Sequence, residues 1–372
     1  MKKTLTYLVL VLSVLSCSKK EVLPDVEPVA ISFAVPEVAE VKSVLIKDNF
    51  QLVTADGELG YAVFAARYTP MSDGAVGYDH EQFMDDVKIY STDEGSTWGY
   101  DGETFYWSPG AVHKFFAVYP YYHKTDDTYD YGISYAINEA AHALQVAGKH
   151  VDNTKTYICT GTDEEGNNLC PDILYGVEMY SDPYKVGEDR EPISFRLNHA
   201  LSAVSFRFRN ASEFSIKSIT TEAISGFKNA SEYVRLSDDG AHWAENPILV
   251  QGHSFNVPEF NTSNPPSASR IDSGAYYKTT GDYWYTALMI PQDFGQGESP
   301  VFRFTVKFDS ATASDKTYVI RFQDYAVHNA AEQAFTFLPG YHYEYNINVT
   351  AKYISCDVKI VDWIEDEPIK LN

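Results

Sequence analysis

The sequence predicts an all-β protein, two β-sandwich domains in tandem with one or two short helices. Three observations lead there. Apolar and polar residues alternate with period two over most of the length, the spacing at which side chains on a strand return to the same face. Aromatic residues make up 15%, with 28 Tyr and 21 Phe, and aromatics suit the half-buried pleat of a sheet. Clusters of Gly, Asp, Ser and Thr break the alternation at short intervals, the punctuation of many short strands. At 372 residues, two domains are the natural count.

The first element is a targeting signal. Lys2 and Lys3 give a positive start, and residues 5–15 form a mostly apolar core too short to span a bilayer. The signal, residues 1–16, runs into VLSC at residues 14–17, which resembles the lipobox of bacterial lipoproteins, with Cys17 as the lipidated mature N-terminus. Several acyl chains on one Cys anchor a protein without a transmembrane helix. An ordinary secretory signal cut elsewhere is the plainer alternative. Residues 17–28 then serve as a polar tether.

Strands follow. Val29, Ile31, Phe33 and Val35 share one face of a run that Pro36 stops. Further runs occupy residues 59–68 and 112–119. Residues 136–146 (AINEAAHALQV) are Ala-rich, close at Gly148 and predict a helix; a shorter one is expected over 324–334. The polar stretch 182–192, with Pro183, Gly187 and Pro192, suggests a boundary between domains 29–190 and 191–372. Strands resume at 193–210, 216–224, 283–290, 301–308, 318–322, 341–349 and 353–363, with an exposed loop expected at 261–269.

Composition excludes several functions. A net charge of −23 leaves nothing to displace counterions from nucleic-acid phosphate, and it disfavours bare anionic lipid. Of the three cysteines beyond Cys17, Cys159 and Cys170 could close residues 159–170 as a disulfide in an exported protein, while Cys356 lies within an apolar alternation. No CxxC, HExxH or Cys/His cluster offers a metal site, and no cofactor is expected.

Nothing assembles into a catalytic pattern either. His199 and Ser202 invite comparison with a base and its nucleophile, yet three positions apart on a strand point to opposite faces, and no GxSxG elbow surrounds the Ser. Paired carboxylates at 126–127, 163–165 and 238–239 lie in loop-like sequence and read as solvated turns, while 85–86 has a less clear setting. Residues 117–135 hold six Tyr, with Trp98 and Trp107 upstream, and such rings either fill cores or stack on sugars and partner proteins.

Several segments in order resemble the fimbrillin family of Bacteroidales lipoproteins, the Mfa-like subunits of type V pili. They are TFYWSP at 104–109, KFFAVYP at 114–120, DILYG at 172–176, FRLNHALSAVSF at 195–206, LPGYHYEYNINV at 338–349 and VDW at 361–363. The resemblance implies transthyretin-like (Ig-like) sandwiches and no enzymatic activity. It implies a structural, accessory or tip subunit of an adhesive fimbrium, lipid-anchored at the outer membrane and partnered by other subunits and by a receptor or glycan. It also implies assembly by strand donation, in which a protease removes an N-terminal strand and a neighbour's strand replaces it. Val29, Ile31, Phe33 and Val35 suit the removable strand; Ile354, Cys356, Val358 and Ile360 suit the donated one. Stalk subunits of the family are typically cut after Arg, but no Arg precedes Arg67; the chain is therefore expected to be either an accessory or tip-type subunit, which need not be trimmed this way, or one processed at Lys42. A glycan-capturing surface lipoprotein using Tyr121 and Tyr122 is the alternative. Residues 309–311 (DSA) resemble a short O-glycosylation acceptor pattern.

Overall fold

The computed structural model describes residues 27–39, 59–70, 78–91, 98–121, 133–138, 142–148, 150–152, 155–160, 170–225, 227–245, 247–248, 260–261, 285–293, 301–321, 336–362 and 368–369. They contain strands and no helix. In chain order these are β1 (Glu37–Ala39), β2 (Leu59–Pro70), β3 (Tyr78–Ser91), β4 (Val112–Tyr119), β5 (Ile133–Asn138), β6 (Ala143–Gly148), β7 (His150–Asp152), β8 (Lys155–Cys159), β9 (Leu174–Tyr180), β10 (Arg196–His199), β11 (Ser202–Asn210) and β12 (Ile216–Ser225). There follow β13 (Ala230–Ser231), β14 (Tyr233–Ser237), β15 (Gly240–Trp243), β16 (Phe260–Asn261), β17 (Tyr285–Met289), β18 (Gln292–Asp293), β19 (Val301–Phe308), β20 (Lys316–Arg321), β21 (Thr336–Phe337), β22 (Tyr341–Val349), β23 (Ile354–Asp362) and β24 (Pro368–Ile369).

The C-terminal half is a sandwich whose period-two sequence translates directly into layers. Sheets β17-β11-β22-β23 and β16-β12-β19-β20 enclose one core. Phe206, Phe208, Tyr343 and Tyr345 enter it from the first sheet, and Ile219, Phe302, Phe304 and Val306 from the second. Phe206 stacks on Phe302 with ring centroids 4.5 Å apart, tying the layers at their centre. Strand β19 alternates strictly, Phe302, Phe304, Val306 and Phe308 inward and Arg303 and Lys307 outward.

The N-terminal half centres on a seven-stranded sheet, β24-β1-β10-β9-β4-β2-β3, buried on both faces. That is why β4 is hydrophobic almost throughout rather than alternating. Phe116 and Val118 face a core shared with Leu144, Val146, Val234 and Leu236 of the sheet β15-β14-β6-β5. Phe115 and Ala117 face the opposite core, with Tyr61, Trp107 and Phe195.

Residues 136–146, where the sequence predicts a helix, form the antiparallel pair β5–β6 instead. Tyr135, Leu144 and Val146 all reach one core, and His142 sits at φ 48°, a turn conformation. Ala-rich helix propensity amounts to tenths of a kcal/mol per residue, and pairing with β14 overrides it. The helix expected over 324–334 lies outside the described residues.

Pairing also crosses the boundary expected near residue 190. β10 joins β9, β13 joins β8, and β14 joins β6. The buried Lys114 ammonium binds the Asp238 carboxylate and the His142 carbonyl, both at 2.9 Å, a further tie between the halves.

Two motif glycines have steric explanations. A Cβ on Gly176 would lie 2.9 Å from the Arg196 carbonyl oxygen and 3.1 Å from Phe195 Cβ, so β9 and β10 touch only because it is absent. Gly340 turns the chain into β22 at φ 74° and donates its N–H to the Leu201 carbonyl at 2.9 Å.

Candidate functional site: a strand-filled groove

The short apolar run at residues 29–35 lies in a groove of the N-terminal half, held by backbone hydrogen bonds on both edges. On one edge Ile31 N–H donates to the Phe105 carbonyl at 2.8 Å, and Trp107 N–H to the Val29 carbonyl at 3.0 Å. On the other, Ala34 N–H donates to the Ile193 carbonyl and Ile193 N–H to the Ser32 carbonyl, both at 2.8 Å. β1 continues this edge in parallel with β10, pairing Glu37 with Arg196 and Val38 with Leu197.

The side chains obey the alternation of the sequence. Ile31 and Phe33 are buried, 2% and 5% exposed, whereas Val29 and Val35 are half-buried at the ends. Phe33 lies over Phe195 with centroids 6.3 Å apart and meets Tyr100 edge-on at 5.9 Å. The Tyr100 hydroxyl donates to the Ile31 carbonyl at 3.0 Å and accepts the Phe105 N–H at 3.2 Å. Burial raises its pKa, which keeps this clasp protonated and donating.

Behind the groove stands Trp107, 3% exposed and edge-on to His113, Phe115 and Tyr180. Burial pushes the His113 imidazole down to about 4, the charges of Arg67 and Arg190 add to the depression, and the Ala111 carbonyl opposes it. The Ser108 N–H donates to His113 Nε2 at 3.2 Å, so the neutral ring carries its proton on Nδ1. Arg190 covers the cluster, its guanidinium 5.3 Å from the Trp107 ring and 5.4 Å from the Tyr180 ring. Tyr100, Phe105, Ile193 and Phe195 were not singled out as site residues from the sequence. The TFYWSP motif carried the only signal for Phe105 and the start of the 193–210 run that for Ile193 and Phe195; Tyr100 had none.

The residues expected to supply a donated strand lie elsewhere. β23 is the edge strand of its sheet, antiparallel to β22, with Cys356 buried in the C-terminal core and Ile354 packed against it. Val358 and Ile360 belong to β23. It is the tail beyond, β24, that reaches the N-terminal segment, antiparallel to β1 with Val38 opposite Ile369 and Ala39 opposite Pro368. Cys17 and Lys42 fall outside the described residues. Cys159 and Cys170, which the sequence would allow to bridge, are buried free thiols here.

His199 and Ser202 have separate partners. His199 Nδ1 meets the Asp172 carboxylate at 2.9–3.0 Å, and Ser202 Oγ donates to the Leu338 carbonyl at 2.7 Å. A second arrangement looks more like a triad: Ser205 Oγ lies 2.6 Å from His342 Nε2, with Glu344 Oε1 3.9 Å from His342 Nδ1. The last distance is too long for a hydrogen bond, and Ser205 is fully buried in the sheet. Of the aromatic cluster, Trp107 is core, and Tyr121 packs half-buried against the central core beneath Lys88. Tyr122 lies outside the described residues. Among the carboxylate pairs, Asp86 sits at φ 58° in β3, close to the register shift opposite β2, and Asp238 and Asp239 make the β14–β15 turn. Among the described residues no cluster of His, Cys, Asp or Glu could hold a metal ion, and no helix is long and apolar enough to cross a membrane.

The described residues are thus all-β, with an N-terminal segment seated between two backbone edges. The fimbrillin-like family matches residues 61–363, and the chain belongs to that family. Among solved structures, a fimbrial protein from Bacteroides vulgatus is 13% identical, with 90% of this chain and 99% of that one covered at a TM-score of 0.52, a likeness of fold. The C-terminally truncated tip fimbrial protein Mfa3 from Porphyromonas gingivalis is 12% identical over 83% of this chain and 97% of that one, at 0.41. A fimbrial assembly protein from Parabacteroides distasonis is 10% identical over 90% and 100%, at 0.37. No curated protein matches the chain.

Proposed function

We propose that this chain is a fimbrial subunit that joins its neighbours by strand exchange, with residues 29–35 as the strand that leaves. The observation carrying the reading is the seating of Ile31 and Phe33: two buried side chains on a segment bonded through its backbone on both edges. Taken out, it would leave unpaired N–H and C=O groups at Phe105, Trp107 and Ile193 above an apolar trough, the surface β-augmentation requires. A neighbour's C-terminal strand, carrying Ile354, Cys356, Val358 and Ile360 or the tail beyond them, supplies the replacement. The pairing of β24 with β1 supports this, since that tail already adds to the same sheet edge within one chain.

In this reading Cys17 carries the lipid, and a cut after Lys42 frees the segment. Mapping the mature N-terminus of the protein in shed fibres tests it. A start at Ser43 fits a polymerising stalk subunit, and an intact lipidated Cys17 within fibres fits an anchor. Fibres that retain residues 29–35 in every copy, with Phe33 still protected from solvent, would sink exchange at this groove.

A further inference from the structure

A cleft of about 660 Å³ opens beside the β14–β15 hairpin, between it and the segments 291–293 and 336–339. That volume falls in the range of small-ligand sites, about 300–1,000 Å³. Its wall holds an arginine, Arg235, with no carboxylate partner among the described residues. Arg235 stacks on Tyr233, guanidinium 4.6 Å from the ring centroid, and its buried Nε has no hydrogen-bond partner. Shortage of acids is not the reason, because Asp and Glu outnumber Lys and Arg by 52 to 29. Glu232, Glu245 and Asp293 line the same cleft, yet Glu232 is spent on Lys155 and none of them bonds Arg235.

The rest of the wall is preset. Trp243 donates its indole N–H to the Ala200 carbonyl at 2.7 Å, which fixes the ring at the cleft. Gln292 spends its amide on the Lys228 and Ile290 carbonyls and the Lys228 N–H at 2.9–3.0 Å, so that side is held rigid. His242, the cross-strand neighbour of Arg235, is held by Asp239 at 3.0 Å.

We propose that this cleft binds a saccharide bearing a carboxylate, such as a sialoside or a uronate. The planar guanidinium matches a carboxylate with two parallel hydrogen bonds, and its stacking on Tyr233 orients the fork beforehand. Trp243 offers an apolar ring face, and the carboxylates of Glu245 and Asp293 accept from sugar hydroxyls. Those same carboxylates repel a compact dianion such as phosphate, whereas one carboxylate on a hydroxyl-rich ring satisfies both the cation and the acceptors. The site does not depend on strand exchange, so fibre assembly reports on one and sugar binding on the other.

The purified full chain in detergent is titrated calorimetrically with sialyllactose, with a glucuronate-containing disaccharide and with neutral lactose. One acidic probe is expected to bind, and which one identifies the source of the carboxylate; lactose should bind at least about tenfold more weakly. Arg235→Lys keeps the charge and loses the fork, and should weaken binding by roughly tenfold to a hundredfold. Methyl-esterifying the ligand's carboxylate should remove binding with the protein untouched, which keeps the test decisive if the variant misfolds. Equal binding of lactose, retention of the methyl ester, wild-type affinity in folded Arg235→Lys, or no binding of either acidic probe would each overturn the proposal.

Discussion

Replacing Phe33 by Ala tests whether residues 29–35 are part of the core or merely rest on it. The ring is 5% exposed, lies over Phe195 and meets Tyr100 edge-on, so truncation removes both aromatic contacts and leaves a void beside a fixed wall. Buried Phe→Ala changes cost about 3–5 kcal/mol when the surroundings cannot collapse. Here the loss has a ceiling. Once the remaining contacts no longer hold the segment it lifts off, and no further stability can be lost through it. Ile31 alone contributes roughly 1.5–3 kcal/mol by burial, so the segment stays docked and a loss of about 3 kcal/mol is expected. Urea unfolding followed by tryptophan fluorescence reads this, since Trp107 stands directly behind the groove. With a slope near 3 kcal/mol/M, the midpoint should fall by roughly 1 M and the slope should not change. A shift under about 0.3 M would mean that the strand contributes little to the fold, and the groove reading would fail.

Acid should weaken the same region. His113 is neutral in the fold down to about 4 and protonates near 6.5 when unfolded, so the unfolded chain binds the extra proton between those values. Its contribution is complete above pH 6.5 and falls away toward pH 4, a loss of roughly 3 kcal/mol that His113→Gln should flatten in urea titrations across that window. Gly176→Ala should cost about 1–3 kcal/mol by thermal melting, because the added methyl meets the Arg196 carbonyl and Phe195, neither of them a flexible chain end; a neutral result would mean that β9 and β10 are further apart. Burial pushes the Cys159 thiol up to about 11 and that of Cys170 higher still, so iodoacetamide at pH 8 should scarcely label the native protein. In denaturant Cys159, Cys170 and Cys356 should all react; labelling of Cys356 alone would reveal a bridge formed on export.

The period-two pattern was enough to place most strands, because in a sandwich one face of each strand is solvated and the sequence records which. The run 301–308 became β19 with Phe302, Phe304, Val306 and Phe308 inward. Where that asymmetry is missing, reading from sequence gives out. Residues 143–148 pair with strands from both sides of the chain, and their small residues, chosen for close approach between strands, look like helix formers out of context. The strand pairing across residues 182–192 was not legible for a related reason: a Pro- and Gly-rich stretch signals a change of direction and says nothing of which strands pair. In the groove, Ile31 and Phe33 were visible as an alternation, but their cradle comes from positions 61 to 195, and nothing local marks Tyr100 as the clasp on the Ile31 carbonyl.

The proposed exchange requires that the groove's present occupant be replaceable. The segment contributes two fully buried side chains, and those at its ends, Val29 and Val35, are half-exposed. While the segment is covalently attached it rebinds at high effective concentration, so a competing strand from another molecule gains nothing by matching it. A cut between the segment and β2 removes that advantage and makes the contest one of contacts alone. An incoming strand that buries one more apolar side chain than Ile31 and Phe33 then prevails by about 1.5–3 kcal/mol, roughly tenfold to a hundredfold in occupancy. Backbone pairing does not decide the outcome, because either strand can satisfy the Phe105, Trp107 and Ile193 groups. Selectivity among donors must come from the side chains that meet Tyr100 and Phe195, and a donor with a charged residue in the place of Phe33 should be rejected.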